Sequence, residues 1–347
     1  MRGLTIAANG GLEKLELTTG LSVPEVEHPD DVRVRVHAAA LNHLDLFVLG
    51  GMPGVTIVPP WIMGADAAGI VDAVGRNVRG VKPGDSVVVN PGISCRDCEF
   101  CRSGEQPLCP RFRLLGEHRS GSFAEYIVVP AVNVRPIPAG TDMVKAAAFT
   151  LVTLTAWRMM VTRAAVKPGE TVLIWGIGGG VALAALQIAK ARGAIVWVTS
   201  SSGEKLAKAR MLGADDTFDH SRVDVAKEVR ARTSKRGVDV VVDNVGKATW
   251  AQSLGALGRS GRLVTCGATS GPIVETDVRR LFWNQWSIMG STMGNDAEFD
   301  AVVAEFRAGR LIPPIDSVYE LEQARDAFER LASGRQFGKV VLRLVDR

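Results

Sequence analysis

Several things are scarce in this 347-residue chain, and each scarcity excludes something. No apolar run reads as long enough to span a bilayer, so no membrane association is expected. The opening "MRGLTIAANGGLEKLEL" alternates like a strand and lacks the apolar core of a signal peptide, which points to the cytoplasm. An excess of one charge is missing as well. The 41 basic and 37 acidic residues leave a net charge of +4, and the basic residues are scattered, which argues against nucleic acid as a partner. Internal repeats and low-complexity segments are absent. Cysteine is rare, with 5 in all, yet four of them fall in "CRDCEFCRSGEQPLC", from Cys95 to Cys109. In a reducing compartment such a cluster favours a metal over disulfides.

What is present is an ordinary globular composition, 46% hydrophobic and 22% charged, in a chain long enough for two domains. The first 155 or so residues read as short strands broken by Gly and Pro, such as "DVRVRVHAAAL" and "DSVVVN". After Thr155 apolar strands alternate with amphipathic helices: "ETVLIWG", a helix over 181–192, "AIVWVTS", a helix over 204–212, then "VDVVVDNVG" and "GRLVTCG". That alternation predicts an α/β domain with a parallel sheet covered on both faces. From about Gly294 the chain returns to mixed helix and ends in the strand "GKVVLRLV".

"VLIWGIGGGVALAALQIAK" runs from an apolar strand through a glycine turn into a helix. Gly176 permits the turn, Gly179 lets backbone approach a pyrophosphate, and Ala182 allows close helix–strand packing. Gly178, Gly180 and Val181 complete the candidate cofactor turn, whose helix N-terminus offers free N–H groups to phosphates. At the end of the next strand, where NAD sites usually carry a carboxylate, the sequence reads "VTSSSGEK". Hydroxyls of Ser200 and Ser201 and the ammonium of Lys205 suit a 2′-phosphate, so NADP(H) is expected over NAD(H). A polar, solvated loop with Glu204 and Lys205 as a surface pair is the plainer alternative. Asn244, Val245 and Ala268 end neighbouring strands, where ligands bind in such sheets, and are candidate nicotinamide neighbours. Cys266 reads as packing rather than as a nucleophile.

Glycine turn, cysteine cluster and terminal "GKVVL", with "GADAAGIVDAVG", "VKPGD", "SFAEY" and "LTAW", together resemble the medium-chain dehydrogenase/reductase family over nearly the whole chain. The resemblance implies a GroES-like, β-rich catalytic domain over 1–155, completed by 294–347, and an inserted Rossmann domain over 156–293. It implies an active site in the cleft between them and a homodimer or homotetramer. Cys95, Cys98, Cys101 and Cys109 match the family's structural zinc lobe, about 91–112, where four thiolates leave no open coordination position.

Zinc-dependent alcohol dehydrogenases of the family also carry a catalytic zinc, held by a Cys, a His-Glu pair and a later Cys or Asp. The corresponding places here hold Asn42, Ala65 with Asp66, and, approximately, Leu151. Asp66 alone cannot supply three ligands, so a cleft without a catalytic metal is expected. The zinc-free quinone oxidoreductases and enoyl reductases share "N-x-x-D", matched by Asn42 and Asp45, although Phe47 stands where they commonly have Tyr. They also usually lack the cysteine lobe.

The candidate catalytic residues are Asn42, as an amide donor or a turn-fixing residue, and His43, Asp45 and His118. Asp45 and Asp66 read as holding the Asn42 region in shape, and Arg335 as a candidate phosphate neighbour. The expectation is an NADPH-dependent oxidoreductase delivering hydride to a small-molecule quinone or activated C=C or carbonyl compound, with one structural zinc. An alcohol or aldehyde dehydrogenase, or a non-catalytic nucleotide-binding module, is the alternative.

Overall fold

The computed structural model describes residues 1–345. The chain divides into two units, Met1–Val152 with the segment from Asn295 onward, and Thr153–Gly294.

The first unit is built on the strand Asp31–Ala40. Its alternation buries Val32, Val34 and Val36 and turns Arg33 and Arg35 outward. Each such valine contributes roughly 1.5–3 kcal/mol by leaving water. This strand lies mid-sheet, in the order Val134–Pro136, Ser86–Val89, Ala67–Val74, Asp31–Ala40, Lys339–Arg343, Ile315–Glu320, and it also pairs with Tyr126–Pro130. The C-terminal strand Lys339–Arg343 runs antiparallel to it, with Val341 opposite Ala40. Lys339 is thereby brought beside the end of Asp31–Ala40, and the Leu41 N–H donates to the Val340 carbonyl at 2.9 Å. The N-terminal stretch that alternates like one strand forms two, Gly3–Ile6 and Glu16–Thr18, paired antiparallel across a short 3-10 turn. Its Asn-Gly-Gly sequence breaks the run.

The second unit is a parallel six-stranded sheet ordered Asp216–Asp219, Ile195–Ser200, Thr171–Ile174, Val238–Val242, Leu257–Thr265, Ser287–Gly290. The direction of winding reverses between Thr171–Ile174 and Val238–Val242, so the loops leaving these two strands diverge and leave a crevice at their carboxyl ends. The helix Gly180–Ala191 follows the first of them.

The expectation that no apolar run could span a bilayer needs correction. The continuous helix Met143–Arg163, 21 residues, is long and apolar enough by length and composition. Its apolar window is 72% buried within the protein, with Ala146, Phe149, Leu154 and Met159 fully enclosed, which is the pattern of a core helix.

Candidate active site and metal lobe

The four lobe cysteines converge. Their sulfurs all lie within 4.8 Å of one another, with Cys109 Sγ 3.4 Å and Cys101 Sγ 3.9 Å from Cys95 Sγ. A tetrahedron with Zn–S bonds of about 2.3 Å has edges of about 3.8 Å, so this donor set fits a zinc ion. Backbone N–H groups of Cys95 and Arg111 donate to Cys109 Sγ at 3.4 and 3.3 Å, stabilising thiolate charge. Arg96 pairs with Asp296 at the start of the helix Asp296–Arg307, and Arg111 pairs with Asp97 within the lobe.

At the nucleotide turn, Gly176 and Gly178 have φ of +67° and +127°, conformations that side-chain-bearing residues rarely adopt. The Gly176 N–H donates to Thr199 Oγ1 at 3.2 Å and the Ile177 N–H to the Thr199 carbonyl at 2.8 Å, fixing the turn to the adjacent strand. A Cβ on Gly179, the N-cap of Gly180–Ala191, would meet nothing within 4 Å. The space before the helix N-terminus is therefore open to a pyrophosphate.

Ser200 is buried and its Oγ accepts from the Ser202 N–H at 3.1 Å, leaving its own proton to donate. Ser201 is exposed, Lys205 half-buried, and Ser202 caps the helix Gly203–Met211 by accepting from the Lys205 N–H. Glu204 pairs with Lys208, one helical turn on. His220, missed in the sequence, lies 3.2 Å from Thr199 Oγ1, and burial holds its ring below the usual histidine range and so neutral.

The loops after the central strands interlock: the Ser270 N–H and Oγ both donate to the Val245 carbonyl, at 2.8 and 2.7 Å. Asp243, fully buried, accepts from Val245, Gly246, Thr249 and Ser253 and shapes the loop carrying Asn244 and Val245. A Cβ on Gly246 would come within 3.1 Å of Ala268, so these loops touch. Cys266 Sγ donates to Asn244 Oδ1 at 3.2 Å, and burial pushes the thiol up to about 12, which removes it as a nucleophile.

Asn42 belongs to a buried polar cluster. Its Nδ2 donates to Asp66 Oδ2 at 2.9 Å and to the Ala40 carbonyl at 3.2 Å, and its Oδ1 accepts from Lys339 Nζ at 2.6 Å. Lys339 also donates to Asp66 Oδ2 at 3.0 Å. The other Asp66 oxygen accepts from Thr150 Oγ1 and, at 2.8 Å, from the Leu151 N–H. Four donors fill the acceptor capacity of an ionised carboxylate. Asp45 accepts from the Asn42 N–H at 2.7 Å at the start of the helix His43–Gly50, and burial pushes its carboxyl up to about 7 against the lowering pull of that N–H and of Lys339. Both amide protons of Asn42 are thus used inside the protein. His43 is exposed on the first turn of that helix. His118 Nδ1 accepts from the Leu114 N–H at 3.3 Å, and Glu117, held above the usual carboxylate range by burial, lies 3.7 Å from His118 Nε2. Arg335 is exposed and bonds Ser333 Oγ.

Residues 28–139 match the alcohol dehydrogenase GroES-like domain and residues 180–308 the zinc-binding dehydrogenase domain. An NAD-dependent alcohol dehydrogenase of Saccharolobus solfataricus is 31% identical over 93% of this chain and 94% of its own. The chain belongs to the zinc-type medium-chain dehydrogenase/reductase family. As a member of that family it is an NAD(P)-dependent oxidoreductase, with a GroES-like domain and a Rossmann-like sheet. Human quinone oxidoreductase is 28% identical over 99% of this chain and 98% of its own. A crystal structure of an NAD-dependent alcohol dehydrogenase superposes with a TM-score of 0.95 at 44% identity, covering 99% of this chain and 100% of that one.

Thr150 and Lys339 escaped the sequence reading. The one signal for Lys339 was its place in "GKVVL", a buried strand where an unpaired lysine would be costly.

Proposed function

We propose that the protein is an NADPH-dependent reductase of a quinone or an activated C=C or carbonyl compound, acting without a catalytic metal. The observation that carries this reading is the donor set around Asp66. Among the described residues no thiolate or imidazole bonds to it, and its oxygens accept from Asn42, Lys339, Thr150 and Leu151. Such a site is poorly suited to hold the open zinc that lowers an alcohol's pKa.

NADPH, held at Gly176–Val181 with Ser200, Ser201 and Lys205 about its 2′-phosphate, would supply the hydride; Asn244, Val245 and Ala268 would border its nicotinamide, and Arg335 is a further candidate phosphate neighbour. The chain's own task is to orient the acceptor and to stabilise the developing enolate or phenolate. With Nδ1 accepting from the Leu114 N–H, Nε2 is the His118 atom left to hydrogen-bond a developing oxyanion. It is the preferred hydrogen-bond donor to that oxygen, with exposed His43 as the second candidate and solvent as the source of the transferred proton, while Asn42 and Asp45 hold the surrounding backbone. The names of the Saccharolobus and crystallographic relatives favour a second reading, an NAD-dependent alcohol dehydrogenase.

The deciding experiment compares NADPH and NADH on a quinone and an α,β-unsaturated ketone, and NADP⁺ and NAD⁺ on primary alcohols. Turnover of the ketone or quinone is expected, with NADPH bound about tenfold or more tighter than NADH. Ser200→Asp is expected to reverse that preference. Robust alcohol oxidation with NAD⁺ would establish the second reading instead.

We further propose a homo-oligomer in the cytoplasm. Among the described residues Ser287–Gly290 is a sheet edge paired with Leu257–Thr265 alone, and beside it in sequence Phe282 and Trp283 are 64% and 70% exposed. A second copy running antiparallel would satisfy the edge and cover these rings. Light scattering of wild type and Trp283→Glu tests it, a monomeric wild type counting against it.

A further inference from the structure

Three ionisable groups sit together in the first unit with almost no solvent: Asp66, Asp45 and Lys339 are 0%, 2% and 3% exposed. Lysine is among the residues least often buried, and a buried ammonium is tolerated only when paired. This one has two oxygen partners, at 2.6 and 3.0 Å, from different segments: Asn42 before the helix His43–Gly50, and Asp66 before the strand Ala67–Val74. Asp66 extends the link to the helix Met143–Trp157 through Thr150 and Leu151. An ion that neutralises a buried carboxylate and ties separate segments together does what a bound divalent cation does in a metalloprotein. Here the cation is covalently part of the chain and cannot exchange.

The ammonium also fixes Asn42. An amide can flip its oxygen and nitrogen at small steric cost, but flipping Asn42 would aim an N–H at the ammonium and a carbonyl oxygen at Asp66. Both contacts would be repulsive. The Asn42 backbone N–H in turn meets Asp45, so the register of the helix carrying His43 depends on the same point.

We infer that Lys339 is the resident counter-cation of this site and the positioning residue that orients Asn42, and through it the backbone leading into the helix that carries His43, for the reductase chemistry proposed above. The catalytic half rests on that proposal; the electrostatic half does not. Lys339 engages Asp66 Oδ2 directly, so a metal could use that oxygen only by displacing the ammonium.

The test compares wild type, Lys339→Met and the double variant Lys339→Met/Asp66→Asn for thermal stability and for kcat and KM with NADPH and an α,β-unsaturated ketone. Methionine keeps the apolar stem and removes the charge, so Tm is expected to fall on the order of 10 °C. Removing the Asp66 charge as well should recover at least half of that loss, since the pair, not the packing, is at stake. In the single and the double variant alike kcat should be at least tenfold low, with KM for NADPH unchanged, because the Asn42 side chain no longer anchors the backbone that leads into the helix carrying His43. If Lys339→Met does not fold, the uncharged double variant still carries the kinetic measurement. A Lys339→Met protein as stable as wild type, or a double variant no more stable than the single, would overturn the counter-cation. A double variant with wild-type kcat would overturn the positioning role. A wild type inactive on ketone and quinone would defeat the reductase reading, and the stability measurements would still decide the electrostatic half.

Discussion

Replacing Asp45 by Asn isolates one buried titration. Burial raises the Asp45 carboxyl from an ordinary 3.8 to about 7 in the folded protein. Between these values the unfolded chain has lost the proton while the folded chain keeps it. Stability from this group is therefore fully present below pH 3.8 and is lost as pH rises through about 7. About three units at 1.36 kcal/mol each bound the effect at about 4 kcal/mol. Asn cannot titrate, so the difference between Asp45→Asn and wild type should move in the variant's favour from pH 5 to pH 8 and then level off. Any packing cost of the amide beside the N–H groups of Asn42 and Gly64 is independent of pH and leaves this slope unchanged. With about 2–4 °C per kcal/mol, a drift of several degrees in the Tm difference is expected from thermal melts at pH 5, 6, 7 and 8. A difference that stays flat across that range would refute the reasoning, because Asp45 would then be ionised throughout.

Two further outcomes follow from geometry. Cys98→Ser should lower zinc from about one per chain by elemental analysis and lower Tm while the rest stays folded, since the lobe has little apolar core of its own; two tightly held zinc ions in wild type would contradict a single structural site. Gly121→Ala would set a Cβ 2.3 Å from the Gly64 carbonyl oxygen and 2.4 Å from that of Met63; a loss of about 1–3 kcal/mol is expected by chemical denaturation, and unchanged stability would mean that this backbone yields freely.

Much of the fold could be read from local pattern. The strand–glycine–helix run at 172–190 and the alternation after it are periodic signals, and the sheet follows their order. The cysteine lobe was legible because its ligands lie within fifteen residues of each other. The Met143–Arg163 helix was overlooked as a long apolar run; that its apolar residues meet protein rather than lipid is a distinction composition does not carry. Lys339 was illegible for a related reason. It lies 297 residues from Asn42 and 273 from Asp66, and only pairing of the last strand with Asp31–Ala40 unites them. The donor status of Asn42 was likewise undecidable from sequence, since it depends on which groups consume its two amide protons.

The contrast between the lobe and the Asp66 cluster bears on the proposal that one chain holds a zinc in the lobe and none at Asp66. Four soft thiolates converge in the lobe and repel one another unless a cation sits among them, so the metal there answers an electrostatic need of the fold. Around Asp66 the donors are hard oxygens and N–H groups, and the cation is delivered by a strand whose register is already set by main-chain hydrogen bonds. The first arrangement would draw its order from a bound metal. The second is complete as soon as Lys339–Arg343 pairs with Asp31–Ala40. Chelation should therefore loosen the lobe and leave the Asn42–Asp66–Lys339 contacts intact, which separates a structural metal in the lobe from the proposed site of reduction on physical grounds.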